Sequence, residues 1–271
     1  MERQAMPSPR NQTLIGLGVF ASYCLLILVA NWFASLSGGD DTSPYMAISG
    51  SLLAFVAIPV FSIAIPLWLA RRWQLAYAWW PDSARSWLTA IVWVGAYVFI
   101  ANFYALQALW SGPFDVTRFS IHFVSAMLFH VPYYPLFAIL IFRTSERWLG
   151  LPAAIGIAAL LFALYHLTQY YFFPTGTQLP WLIALFAIFV ADMLLYLITR
   201  SLGLVALGHC VGGAVGMASA GTYFPGMDFV FFVTIVIIGA LLVWSILDRK
   251  RHDGAADESG TVWLRLVPSE R

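Results

Sequence analysis

A chain of 271 residues in which 61% of the side chains are apolar and only 10% are charged lies far outside the usage of water-soluble domains, where about a quarter of residues are charged. A soluble core cannot absorb that much apolar surface, and the mean hydropathy of +0.80 points to residues that face lipid. A net charge of +1, with the basic residues dispersed and not clustered, excludes a nucleic-acid surface.

Apolar runs between polar or Gly/Pro punctuation predict eight membrane-crossing helices in chain order, Thr13 to Leu36, Ser49 to Ala70, Trp87 to Leu109, His122 to Phe142, Ala153 to Tyr171, Trp181 to Thr199, Leu204 to Ala218 and Met227 to Leu247. Each is close to the roughly 20 apolar residues that a helix needs to cross the hydrocarbon layer with its backbone groups paired. The seventh is short and rich in glycine. The first run follows Arg3 and Arg10 like a signal sequence, but it is too long for one and is read as a retained anchor. The fold class is therefore an all-α, polytopic membrane bundle over residues 1–247, followed by a flexible, polar cytoplasmic tail at 248–271.

Of the 14 Lys and Arg residues, all but Arg118 fall on one side of an eight-span arrangement, which places both termini in the cytoplasm. Trp32, Trp73, Trp79, Trp80, Trp110, Trp148 and Trp181 cluster near the span ends, where an amphipathic ring suits the headgroup layer. Short loops and a compact bundle point to a bacterial inner membrane. Cys24 and Cys210 lie inside apolar runs and read as small buried residues, not as a disulfide.

An ionisable side chain at membrane depth costs several kcal/mol, about 3 on insertion scales, so those that occur there are the first functional candidates. They are His122, His130, His166, Asp192 and His209. His122 opens its span and is read as interfacial. His166 stands one turn after Phe162 and one turn before Gln169, as one face of a helix. Asp192 is the only carboxylate well inside a predicted span, Glu146 falling in a cytoplasmic loop from Arg143 to Arg147, and Asp192 is suited to pair with a histidine of a neighbouring helix. His209 lies in a stripe of glycines at 208, 212 and 216 that lets another helix approach closely. The set has no characteristic metal-ligand spacing, and neither a metal nor a cofactor is expected.

Two segments together resemble the CPBP family of intramembrane peptidases, which includes the type II CAAX prenyl endopeptidases and bacteriocin-processing proteins. Leu160-Leu-Phe162-Ala-Leu-Tyr-His166 is similar to the family's FxxxH helix. The stretch from Tyr196-Leu through Thr199-Arg-Ser-Leu to Gly208-His209 is similar to the one that leads to its HxxxN histidine. The resemblance implies a CAAX-peptidase-like core over about residues 122–218, with His166 and His209 at the family's histidine positions. It places the catalytic glutamate pair of the EExxxR motif at Tyr133 and Tyr134, its arginine at Ala138 and the HxxxN asparagine at Gly213, and none of these matches. A tyrosine, whose ordinary pKa is about 10, is a poor base at neutral pH.

The resemblance thus implies a catalytically degenerate member that binds a transmembrane or C-terminal peptide of another protein and assists its processing, alone or with an active peptidase. Its substrate cavity would be lined by Tyr133, Tyr134, His130, Phe162, Gln169 and Gly213. The alternative is an active intramembrane endopeptidase with a displaced base, Asp192 working with His166 and His209. A transporter or sensor, using buried His and Asp residues as a proton relay, is the third reading.

Overall fold

The computed structural model describes residues 6–101, 115–170 and 178–219, with some side chains near the ends of these segments left out. The predicted eighth span, the tail, and the end of the third span after Ala101 lie outside the described residues, as do the side chains of Gln169 and Trp181. Among the described residues every regular element is helical, and there are eight helices. Three of them, Pro9–Leu36, Pro44–Arg72 and Leu151–Thr168, are long and apolar enough to cross a membrane, whereas Ala84–Phe99, Val116–Phe129, Leu185–Thr199 and Leu202–Val215 are apolar but shorter.

Helix α1, Pro9–Leu36, begins where the hydroxyl of Ser8 accepts from the amide of Asn11 and Pro9 opens the first turn. At 28 residues its length is about 42 Å. Gly38 and Gly39, with φ of 62° and 89°, break it. In the following turn Thr42 donates to Asp40 from its hydroxyl at 2.7 Å and its amide at 2.9 Å. These two bonds hold the Asp40 carboxyl below the usual carboxylate range.

Helix α2, Pro44–Arg72, has a wide π-wound middle at Leu52–Ala64 that contains Pro59. Proline has no N–H to give the carbonyl one turn back and its ring crowds that carbonyl, so a wider winding around it relieves an otherwise broken turn. At its end Gln74 sits at φ 52° while Leu75 donates to Ala70 at 2.9 Å, a left-handed helix cap built without glycine. Arg147 donates to the carbonyls of Trp73 at 3.0 Å and Gln74 at 2.8 Å, a cation at a helix C-terminus. Gln74→Gly removes the left-handed strain and is expected to raise stability by about 0.5–1 kcal/mol, read as a higher melting midpoint in detergent.

The remaining helices are α3, Ala84–Ala101; α4, Val116–Phe129; α5, π-wound over Pro135–Ile141 and α-wound over Phe142–Leu149; α6, Leu151–Tyr170; α7, Gln178–Thr199; and α8, Leu202–Ser219. The single span expected from His122 to Phe142 is thus two helices, interrupted at His130–Val131–Pro132. Pro132 disfavours a helical conformation at Val131, which an apolar run cannot reveal. The expected loop from Arg143 to Arg147 is likewise helical, and it is Gly150, at φ 84°, that ends the turn.

The chain divides into two compact units, one from residues up to Ala76 together with Pro132–Phe189, the other from Tyr77–Val131 and from Val190 onward. In the first unit α1 packs on α2, α5 and α6. Its core is aromatic. Phe137 meets Phe20 at 5.7 Å and Phe162 at 5.6 Å, and Phe162 stacks on Phe189 at 4.3 Å between ring centres. The Ser62 hydroxyl donates to the carbonyl of Pro132, tying α2 to the start of the following segment.

In the second unit α8 packs on α3 and α4. The N–H groups that open α8 are met by backbone carbonyls, Leu202 donating to Ala78 at 3.0 Å and Gly203 to Trp79 at 2.9 Å. Gly208 supplies the close approach expected of the glycine stripe, since a Cβ there would run into the side chain of Val94 on α3.

Candidate functional site

The candidate residues fall into two sets, one in each unit. In the first, His166 lies near the end of α6, buried, with Nδ1 at 2.8 Å from the carbonyl oxygen of Phe162. A carbonyl only accepts, so Nδ1 carries the proton and Nε2 is the basic nitrogen of the neutral ring. The imidazole stands edge-on to Phe162 at 4.6 Å and to Tyr165 at 5.1 Å. The four-residue spacing from Phe162 to His166 is what brings ring and carbonyl together on one helix.

Tyr133 and Tyr134 are each 2% exposed. Tyr133 packs on Tyr165 at 4.8 Å and Phe162 at 6.5 Å, and Tyr134 on Phe189 at 6.2 Å. Phe162, itself buried, is the hub of this group. The positions at which the family resemblance would put a glutamate pair are thus filled by rings packed into an aromatic core. Gln169 lies on the same helix, its side chain outside those described.

The second set gathers around Asp192. This carboxylate is 0% exposed on α7, and its Oδ2 lies 2.9 Å from Nδ1 of His209 on α8. The pairing of Asp192 with a histidine of another helix, expected from sequence, is therefore present, and the partner is His209. The His209 side chain is 13% exposed, so the imidazole is the member that reaches the surface of the unit. His130, in the turn that ends α4, brings its ring to 5.5 Å from that of His209, tilted by 58°. The close packing of α4 on α8 sets that distance.

Gly213, one turn beyond His209, is exposed, and a side chain there would meet open space. His122 is half-buried on α4. Tyr196, one turn after Asp192, accepts through its hydroxyl from the amide of Ala78 at 3.4 Å. Cys24 and Cys210 are both free thiols. Among the described residues no three His, Cys, Asp or Glu side chains are placed to hold a metal ion.

One charged pair escaped the sequence reading. Arg143 and Glu146 are joined at 2.8 Å with side chains only 1% and 4% exposed, and the guanidinium lies 5.0 Å over the ring of Phe142. Asp192 is therefore not the only buried carboxylate. The signal was the three-residue spacing of opposite charges ahead of Gly150, which marks one turn of helix with its stop and not a loop. Comparison with family models, with curated proteins and with solved structures finds no match to the chain.

Proposed function

We propose that the chain is a polytopic integral membrane protein of the CAAX-peptidase-like type that lacks the family's glutamate-dependent reaction and holds a membrane-embedded or C-terminal peptide to assist its processing. Both termini lie in the cytoplasm in this reading, the membrane being a bacterial inner one. The observation that carries it is the packing of Tyr133 and Tyr134. Their rings fill the aromatic core where the water-activating carboxylates would stand. The other carboxylates described in that unit are Asp40 and Asp41 in an exposed turn and Glu146, which is held by Arg143. With tyrosines in place of that carboxylate pair, the first unit can hold a peptide without the glutamate-activated water of the family.

A photoreactive residue in place of Leu164, an exposed side chain on the helix that carries His166, tests this in intact cells. The expected outcome is a crosslink to one or a few membrane proteins, unchanged in pattern as expression is varied. Crosslinks spread indiscriminately over abundant membrane proteins, or none at all, count against it.

A second reading, an active endopeptidase with a displaced base, is favoured by the hydrogen bond between Asp192 and His209. It requires cleavage that is lost in Asp192→Asn and in His209→Ala. Activity that survives both eliminates it.

A further inference from the structure

We propose that Asp192 is a positioning residue that fixes His209 in its Nδ1–H form and so makes Nε2 the atom through which His209 takes up or gives a proton. The inference concerns one hydrogen bond within that unit. It stands apart from the peptide-binding reading, because a chain that cleaves nothing can pass its test.

The argument begins with burial. A carboxylate removed wholly from water loses its hydration and is tolerated only with a partner that returns the lost interaction. Asp192, at 0% exposed, has Nδ1 of His209 at 2.9 Å. The carboxylate accepts and the imidazole N–H donates, so the proton of the neutral ring is held on Nδ1 and the lone pair is left on Nε2. The ring cannot turn over without giving up that bond.

The geometry also separates the two roles. Asp192 is sealed from its surroundings, whereas His209 is 13% exposed, so a reacting group meets the imidazole and not the carboxylate. If Nε2 takes a proton from a donor placed against it, the imidazolium that forms lies beside the negative carboxylate, so the pair passes from one negative charge to none and the donor is left with the negative charge. The reverse step returns the proton. No oxidant, metal or co-reactant is needed.

Other titratable groups border the pair. Tyr97 of α3 and Cys210, next to His209 on α8, are close enough to Asp192 to act on it electrostatically. From the end of α4 His130 faces His209 ring to ring at 5.5 Å. Tyr97 and Cys210 are neutral in their ordinary states. His130 is the neighbour whose chemistry allows it to pass the proton onward.

The test is nitrogen NMR of the full-length protein in lipid nanodiscs, labelled with 15N at its five histidines. The His209 signals are assigned by their disappearance in His209→Gln. In the wild type His209 is expected to show a protonated Nδ1 and an unprotonated Nε2; the opposite tautomer overturns the proposal without any variant. In Asp192→Leu, or in Asp192→Asn if the leucine variant does not fold, the tautomer is expected to shift to Nε2–H or to a mixture. A His209 spectrum unchanged by the loss of the carboxylate also overturns it, since some other group then fixes the ring.

Discussion

Arg143→Met, with Glu146 left in place, is expected to destabilise the protein by about 3–5 kcal/mol, enough to lower its detergent melting midpoint sharply or to prevent recovery of folded material. The two side chains are 1% and 4% exposed and joined at 2.8 Å. Methionine replaces most of the arginine stem, so the loss measures charge and not volume. What remains is a buried carboxylate deprived of its cation. A buried ion pair, by contrast, is often no better than apolar residues of similar size. The double change Arg143→Met with Glu146→Leu is therefore expected to recover most of the stability that the single change removes. Melting midpoints of the two single variants and the double one form a thermodynamic cycle. Simple additivity of the two losses would show that the charges are not coupled.

Gly203→Ala should cost about 1–3 kcal/mol although it adds a single methyl group. A Cβ at that position would lie 2.7 Å from the Trp80 ring and 2.9 Å from the carbonyl oxygen of Trp79. The ring can tilt, but the carbonyl belongs to the backbone that meets the first N–H groups of α8, so relief means loosening those bonds. Gly213→Ala, on the same helix, has nothing within 4 Å of the new methyl. Alanine exceeds glycine in helix propensity by about 1 kcal/mol, so this change is expected to be neutral or stabilising. Unfolding midpoints of the two variants, measured side by side, check the contrast. Equal effects would mean that the tight contact at Gly203 is not a real constraint on α8.

Much of the architecture was legible because it follows from one-dimensional signals. The apolar runs expected from Thr13 and from Ser49 are the two longest of the described helices, which begin a turn earlier, at Pro9 and Pro44, where Ser8 and Ser43 cap them. The errors have local causes. An apolar run masks a break such as Val131–Pro132, since hydropathy counts side chains and the break is a matter of backbone conformation. The stretch from Arg143 to Arg147 looks like a loop because charge suggests water. In the fold its first and fourth residues are joined at 2.8 Å and are buried as a pair.

The candidate site was legible in its parts and not in its grouping. His166, Asp192 and His209 stand out in any sequence of this composition because charge is rare in it. That Asp192 meets His209, and that His130 joins them, depends on how α4, α7 and α8 pack, which spacing along the chain does not encode. Tyr133 and Tyr134 were placed as the lining of a cavity. They are packed among Phe162, Tyr165 and Phe189, partners that lie about 30 to 55 residues away in sequence.

The most direct test of the central claim, a peptidase-like frame without the peptidase's base, is a cleavage assay on the full chain reconstituted in lipid vesicles. Synthetic transmembrane-helix peptides and prenylated C-terminal peptides are incubated with it and followed by mass spectrometry. The expected result is that every peptide remains intact over a long incubation. A discrete product, formed by the wild type and lost in His209→Ala, would contradict the account.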